Sequence, residues 1–422
     1  MGVRTRRKIP HPASSARLPI AAECCSEPQA PTRPADVTRP AASYGRLMNI
    51  ITIAEEFART RILPRAPVWE KSRAMATAEI REAINAGIGS IRIGAEFGGL
   101  GLDYSSTGAV LRILASADFA FAFSLAVHSA VAGSISEQGS PAQIARYLRS
   151  VLSGELILSV CITEPSAGSD AAAMRTTATP DKGGWRISGS KAWITNATSA
   201  DLFLVYAQTD SGTGPAGIAA FLIERECPGL SITAPYDLVG CHSMGLAGVE
   251  LADCFVPHEA LFAHPGEGFK RAMSGIDVAR TLVSAMCCGM MEASLAFAIE
   301  ATAERSAFGS RTIDFQGVQW MLADVATDLS ASELLFKAAA SKLDRGERAT
   351  IDAAHAKKFS TKVALSAVAQ CMQLSGARGL LAETPISRHL AGAKAAQYLD
   401  GTTEIQNVVI ARSLRPRVNQ AL

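Results

Sequence analysis

The sequence predicts a multidomain α+β protein, in which an N-terminal α-helical domain precedes a middle antiparallel β-domain and a C-terminal long-helix bundle. Apolar residues recur at helical spacing up to about residue 157, short β-branched and aromatic runs follow to about residue 266, and helical periodicity then returns. A length of 422 residues is enough for two or three domains. Rossmann and TIM-barrel enzymes alternate strands and helices throughout, so this order argues against both.

The N-terminal helical domain is expected over residues 48–157, with helical spacing in segments such as "ITIAEEFARTRIL". The apolar window "FAFAFSLAVHSAVAG" is shorter than the roughly 20 residues of a spanning helix. It also contains His128, so we expect a buried core helix and no integral membrane segment. Residues 1–47 are rich in Arg, Pro and Ala and lack the apolar block of a secretory signal. We expect a disordered extension there, or a start codon placed too early with Met48 as the better beginning.

The β-domain is expected over residues 158–266, where runs such as "LFLVYAQT" and "GVELADCFVP" are separated by Gly, Pro, Asn and Asp. The C-terminal bundle is expected over residues 267–422. Thr403 and Gln406 have the spacing of a capping box at the start of its last helix. The predicted helices of this bundle are 268–304, 315–345, 350–375, 385–399 and 402–414.

Composition narrows the class of protein. The net charge is +2, from 41 basic and 39 acidic residues, and no stretch interleaves basic with aromatic residues, so we expect no nucleic-acid partner. The nine cysteines show no metal-binding spacing. A chain of this length does not need disulfides, so we expect reduced thiols and a cytoplasmic location.

Two segments of the β-domain carry residues suited to a cofactor. The loop "CITEPSAGSD", residues 161–170, offers free backbone N–H groups and hydroxyls that suit the polar edge of a cofactor, although an ordinary surface turn has the same composition. In "KAWITNA", strand alternation predicts Trp193 and Thr195 on one face. That pair suits a flat heterocycle, and a core tryptophan is the alternative.

Two further positions lie in the C-terminal bundle. Arg305 in "ERSAFGSRTIDFQ" follows a long helix, where a cation either complements the helix dipole or clamps a diphosphate. Asp400 in "AQYLDGTTEIQN" precedes a glycine and a helix start. By itself, this aspartate is equally well explained as half of an Asp-Gly turn.

Taken together, these segments resemble the acyl-CoA dehydrogenase family of flavoproteins. The resemblance covers the chain from about residue 48 to the C-terminus, in family order. It is carried by seven motifs, "EFGGLGLD", "CITEPSAGSD", "KAWITNA", "ERSAFGS", "FQGVQWMLADVA", "QLSGARG" and "LDGTTEIQ".

The resemblance implies an FAD bound between the β-domain and the C-terminal bundle. Thr163 and Thr195 would hydrogen-bond the flavin ring, Trp193 would pack against it, and Thr402 would touch it. Ser169 would lie towards the acyl-pantetheine. The full set of cofactor positions implied by the family is Ile162, Thr163, Ser169, Trp193, Thr195, Arg305, Phe308, Gln316, Gln373, Gly376 and Thr402.

In the family, a neighbouring subunit completes the cofactor site, so the resemblance also implies a homotetramer or dimer. Arg305, Phe308 and Gln316, with Gln373 and Gly376, would hold the diphosphate and adenosine across the interface. The substrate positions implied by the family are Ser169, Asp277, Arg280 and Gly401.

Position 400 departs from the usual family pattern. Most relatives have Glu-Gly-Thr where this chain has Asp400-Gly401-Thr402, and that Glu removes the α-proton of the substrate. Asp400 follows Gly379 by 21 positions (400 minus 379), which is the family spacing. A second branch keeps its base on the "GIDVAR" helix, where this chain has Ala279. Asp400 is therefore the expected base, with Glu404 as the alternative.

The first hypothesis is FAD-dependent α,β-dehydrogenation of an acyl thioester, carried by CoA or a carrier protein, with electron-transfer flavoprotein as the electron acceptor. An Asp base is similar to that of members acting on alicyclic esters, so a branched or alicyclic acyl group is expected. The alternatives are a flavin-dependent monooxygenase of the same fold and a non-catalytic scaffold that keeps the fold.

Overall fold

The structure, a computed structural model, describes residues 41–210 and 213–414. Its first part is helical. Helix α1 (Ala41–Phe57) begins seven residues before Met48, so residues 41–47 of the expected extension are helical, and residues 1–40 lie outside the described part. The helices that follow, after a π-helical turn at Ala58–Ile62, are α2 (Ala66–Ser72), α3 (Thr77–Asn85), α4 (Tyr104–Ala117), α5 (Phe119–Gln138) and α6 (Pro141–Leu152).

Helix α5 is the apolar window that the sequence marks as a core helix. The helix has 20 residues, so the expectation that it is too short to span a membrane is wrong. Its burial supports a core position instead, because 72% of its most apolar window lies inside the protein. The longer helix α7 (Gly268–Glu304) is likewise long and apolar enough to cross a membrane, and 67% of its window is buried. Both therefore have the character of core helices.

The middle domain is a single eight-stranded sheet in which most neighbouring strands are antiparallel. The order is β6-β7-β3-β2-β4-β5-β8, with β1 beside β4, and the β1–β4 and β2–β4 pairs are parallel. The strands are β1 (Leu158–Cys161), β2 (Thr177–Asp181), β3 (Gly184–Ile194), β4 (Leu202–Gln208), β5 (Ile218–Glu224), β6 (Leu230–Ile232), β7 (Ala247–Pro257) and β8 (Leu261–Ala263).

Strand β4 is buried on both faces, and its side chains alternate between two cores. Leu202 and Leu204 pack with helical residues such as Leu148. Phe203 and Val205 belong to a second core made by the sheet itself. This central strand therefore joins the β-domain to the N-terminal helices.

The C-terminal domain is a bundle of long helices that shares its core with the N-terminal helices. Phe119 of α5, Met290 of α7 and Val368 lie in the same buried cluster. The predicted helix bounds agree with the structure to within three residues. After α7 come a small hairpin of β9 (Ser306–Ala307) and β10 (Ser310–Arg311), then α8 (Gln316–Asp344), α9 (Thr350–Leu374), α10 (Pro385–Ala396) and α11 (Thr403–Ser413).

Candidate active site

The Asp400–Gly401 turn connects α10 to α11, and both of its residues have left-handed backbone conformations, with φ of 51° and 88°. Glycine adopts this conformation without steric cost, and aspartate tolerates it better than most residues. A Cβ at Gly401 would lie 3.2 Å from Nη2 of Arg280. The tight turn therefore requires glycine at position 401, and it places Asp400 just ahead of α11.

Three buried donors hold the carbonyl oxygens of this turn. Arg280 Nε of α7 donates to the Asp400 carbonyl at 3.0 Å, and Lys357 Nζ of α9 donates to the Gly401 carbonyl at 2.6 Å. Gln406 Nε2 of α11 also donates to the Gly401 carbonyl, at 2.9 Å. Within the described residues the backbone N–H of Asp400 forms no hydrogen bond. The turn is thus fixed through its carbonyls, and this N–H stays available.

Gln406 does not have the capping role that the sequence predicts. The capping box of Thr403 and Gln406 is wrong, because Thr402 is the N-cap of α11 and its hydroxyl accepts from the Ile405 N–H at 3.4 Å. Gln406 instead supports the turn from inside the protein. The hydroxyl of Thr402, which the family resemblance assigns to the flavin, is therefore also a helix cap.

The Asp400 side chain is only partly exposed, and its Oδ2 is shielded from solvent. Within the described residues Oδ2 has no hydrogen-bond partner. Burial raises the pKa of Asp400 to about 6, and the cations of Lys357 and Arg280 oppose that rise. A carboxylate of this kind is ionised at neutral pH and takes up a proton more readily than a solvated aspartate does.

Arg280 is supported in turn by Asp277, one helical turn earlier on α7. Their Nη1 and Oδ1 atoms are 3.0 Å apart, and the other carboxylate oxygen of Asp277 accepts from the Thr350 hydroxyl. Arg280 is 7% exposed. In this structure the pair supports the Asp400 turn, and its contact with substrate stays a prediction.

The "CITEPSAGSD" loop leaves strand β1 and is fixed by a residue that the sequence analysis missed. Glu164 is buried, pairs with Lys191 Nζ at 2.8 Å and accepts from the N–H of Thr176 at 2.9 Å. Lys191 also donates to the Ile162 carbonyl at 3.1 Å. This pair joins the loop to β3 and leaves Ser169 exposed. The sequence did contain a signal for this pair. Glu164 is an acid inside a Gly/Ser/Pro loop, and Lys191 is the first residue of "KAWITNA".

Trp193 and Thr195 do not follow the strand alternation that the sequence analysis assumed. The register between β3 and β7 shifts after Lys191, and Trp193 has a left-handed φ of 59°. Trp193 is 57% exposed, and the centroid of its ring lies 4.3 Å from that of Tyr236, so the core-tryptophan alternative is wrong. Thr195 is buried, and its carbonyl accepts from the Ser159 hydroxyl at 2.6 Å.

The residues assigned to the diphosphate and adenosine lie on the surface. Arg305 ends α7 and forms no ion pair within the described residues. Its Nη1 would lie 2.9 Å from a Cβ at Gly376, which has φ of 62°. Phe308, at the tip of the β9–β10 hairpin, is 99% exposed with φ of 51°. The remaining exposed members of this set are Gln316 and Gln373.

These features fit FAD. The Arg305 guanidinium has no ion pair within the described residues and lies beside Gly376, which has no side chain. This arrangement suits a diphosphate, because arginine binds phosphate oxygens through its fork of N–H groups. An exposed indole suits a flat ring system, and the partly exposed loop around Thr163 offers polar groups for its edge.

Comparison with known proteins finds family matches over most of the described residues. Family profiles match residues 48–155 (acyl-CoA dehydrogenase, N-terminal domain), 159–254 (middle domain) and 266–415 (C-terminal domain). A mitochondrial isobutyryl-CoA dehydrogenase of Dictyostelium discoideum is 32% identical over 364 residues, covering 86% of this chain and 88% of the relative.

Solved structures give the same result. Butyryl-CoA dehydrogenase from Megasphaera elsdenii has a TM-score of 0.85 at 30% identity, over 90% of this chain and 99% of that chain. A structure from work on the electron transferring flavoprotein of Acidaminococcus fermentans has a TM-score of 0.86 at 32% identity, over 90% and 100%. Glutaryl-CoA dehydrogenase from Mycobacterium smegmatis, in complex with FADH2, has a TM-score of 0.82 at 25% identity, over 87% and 94%.

The domain order and the cofactor predicted from sequence are thereby confirmed. The chain belongs to the acyl-CoA dehydrogenase family and is an FAD-dependent oxidoreductase of the acyl-CoA dehydrogenase type.

Proposed function

We propose that this acyl-CoA dehydrogenase uses Asp400 as the base that removes the α-proton of its substrate. The observation that carries the proposal is a shielded Oδ2 with no partner within the described residues, on a turn held by three donors. Bound FAD supplies the acceptor for the hydride that leaves the β-carbon. Asp400 takes the α-proton as the bond between the β-carbon and the hydride breaks. Its raised pKa of about 6 suits this proton transfer.

The alternative acid on α11 is less suited to this role. Glu404 is exposed, and a hydrogen bond to Thr402 lowers its pKa. A solvated carboxylate with a depressed pKa is a weaker base than a shielded one with a raised pKa. Ala279, at the position of the second branch's base, cannot take a proton.

The backbone N–H of Asp400 supports binding of the thioester carbonyl. It is unused within the described residues, while the carbonyls of the same turn are occupied by Arg280 and Lys357. A free N–H at a rigid turn can stabilise negative charge that develops on the thioester oxygen. Because this donor belongs to the backbone, it is independent of the Asp-for-Glu difference.

The shorter side chain has a consequence for the substrate. Asp lacks one methylene of Glu, so its carboxylate lies more than about 1 Å short of the usual position, and an error of this size costs on the order of a hundredfold in rate. The α-carbon of the substrate must therefore come closer to the turn. Because family members that act on alicyclic esters are similar in having an Asp base, we propose a branched or alicyclic acyl group. The relative named isobutyryl-CoA dehydrogenase fits a branched group.

The exposed group around Arg305 supports an oligomer. Phe308, Gln316 and Gln373 leave apolar and polar surface uncovered beside an unpaired guanidinium. We propose a homotetramer or dimer in which this surface meets the FAD of a neighbouring copy. We also propose electron-transfer flavoprotein as the acceptor, CoA or a carrier protein as the acyl carrier, and a cytoplasmic location.

A flavin monooxygenase and a non-catalytic scaffold are the two alternative functions. A flavin monooxygenase of the same fold needs no carbon base, whereas this chain keeps a shielded acid at position 400. A scaffold needs no cofactor, whereas Trp193 stays more than half exposed and Arg305 forms no ion pair within the described residues. Both observations favour the dehydrogenase.

The deciding experiment is anaerobic mixing of the FAD-loaded protein with short, branched and cyclic acyl-CoA esters. The parent should lose its flavin absorbance with at least one ester, and Asp400→Asn should not, while retaining bound FAD. Equal bleaching by Asp400→Asn would show that the base is elsewhere. Oxygen consumption with reduced flavin would indicate the monooxygenase, and colourless purified protein would indicate the scaffold.

A further inference from the structure

We propose that Lys357 is a positioning residue for this reaction, whose buried ammonium holds the Asp400 turn and supplies the positive charge that keeps Asp400 ionised. The inference rests on the proposed role of Asp400 as base. It adds a residue in the middle of α9, where the sequence indicated a role only for Gln373 near the end of the helix.

The position of Lys357 links two segments through their carbonyl groups. Its Nζ donates to the Gln397 carbonyl at 3.1 Å and to the Gly401 carbonyl at 2.6 Å. Gln397 follows the last residue of α10, so one ammonium joins the end of that helix to the turn. The orientation of Asp400 therefore depends on α9 as well as on its own segment.

Burying a charged lysine costs free energy of folding, which an ion pair with a carboxylate usually offsets. Lys357 is fully buried, yet no carboxylate lies within ion-pair distance of its Nζ among the described residues. Burial lowers its pKa to about 8. A neutral donor would hold a carbonyl at lower cost, and Gln406 already does so at Gly401. The charge itself therefore needs an explanation.

Asp400 provides that explanation. The groups that act electrostatically on Lys357 are Asp400 on the turn, Arg280 and Cys287 on α7, and Glu404 on α11. Arg280 is already paired with Asp277, so its charge is largely balanced. Lys357 is the unbalanced cation, and it is the larger of the two cationic influences that lower the pKa of Asp400. Between about pH 6 and 8 both groups are charged.

The test compares Lys357→Met, which removes the charge, with Gln406→Met, which removes a neutral donor to the carbonyls of the same turn. The Asp400 carboxyl is titrated by infrared difference spectroscopy and assigned by its absence in Asp400→Asn. The pH dependence of anaerobic flavin reduction by isobutyryl-CoA and butyryl-CoA is measured alongside. We expect Lys357→Met to move the Asp400 pKa, and the acidic limb of the rate, up by about one pH unit. Gln406→Met and Lys357→Arg should leave the Asp400 pKa and the pH of the acidic limb unchanged, whatever their effect on the maximum rate.

Three outcomes would overturn the inference. One is an unmoved Asp400 titration in Lys357→Met, and another is an equal shift in Gln406→Met. The third is that Lys357→Met and Lys357→Gln both fail to fold while Lys357→Arg folds, which would make the role structural. Failure of the proposed base is separate, because it would appear as flavin reduction by Asp400→Asn, whatever the Lys357 variants do.

Discussion

At the scale of single residues, the Asp400 carboxyl is a source of catalysis and a cost to stability. Its folded pKa of about 6 lies above the usual 3.8, so the folded protein binds this proton more tightly than the unfolded chain does. The contribution of Asp400 to the free energy of unfolding is therefore fully present below about pH 4 and is lost as the pH rises through about 6.

This linkage predicts a stabilising substitution. Asn has the shape and charge of protonated Asp, so Asp400→Asn should raise the free energy of unfolding at pH 7 by about 1–3 kcal/mol and change it little at pH 4. Urea unfolding at the two pH values measures the difference. Destabilisation at pH 7 would show that the ionised carboxylate is favoured by its surroundings.

The length of the same side chain governs substrate choice. Asp400→Glu restores the missing methylene, and its carboxylate then reaches a straight-chain substrate in its ordinary position. We expect the rate of flavin reduction by butyryl-CoA, relative to that by isobutyryl-CoA, to rise by about tenfold or more. Both rates are measured by anaerobic flavin reduction. An unchanged ratio would mean that the reach of the base does not select the acyl group.

At the scale of elements, the helices of the C-terminal bundle could be predicted closely, because long periodic segments with few prolines carry a strong signal. Strand β3 shows why the geometry of the site could not be predicted from the sequence. Alternation assumes a continuous strand, whereas the register of β3 against β7 shifts between Lys191 and Ile194. That irregularity depends on a partner 60 residues away in sequence, as with Ser190 opposite Glu250. Similarly, nothing near Lys357 in the sequence indicates its bond to Gly401.

The irregular end of β3 yields a prediction about FAD. Trp193 is 57% exposed and lies outside the buried cores, so Trp193→Ala should leave the thermal midpoint of the apoprotein within about 2 °C. Loss of its flat face should weaken FAD binding about tenfold, measured by flavin fluorescence on titration. Trp320→Ala removes a tryptophan of similar exposure from α8 and serves as the matched control. If FAD binding weakened equally in both variants, Trp193 would have no specific role in holding the cofactor.

At the scale of the whole molecule, one buried cluster unites the N-terminal helices with α7, α9 and α10, so these parts share one core. The sequence pattern predicts the domain order, because each domain has its own periodicity. It does not show what covers the exposed group around Arg305, because hydrophobic patterning reports burial within a chain and not between copies. The family resemblance suggests a neighbouring subunit there, and the exposure of Phe308 is consistent with one.

Mixed oligomers test that suggestion directly. If Arg305 of one copy completes the FAD site of another, Asp400→Asn and Arg305→Gln damage different sites, and each variant alone should be inactive. In a mixed dimer, one site combines the intact Asp400 of one copy with the intact Arg305 of the other. Coexpression at equal levels should therefore restore activity to about a quarter of the parent's, because about half the dimers are mixed and each has one intact site. If Arg305 serves the FAD of its own chain, every site in the mixture carries a lesion, and flavin reduction should stay at the level of the separate variants.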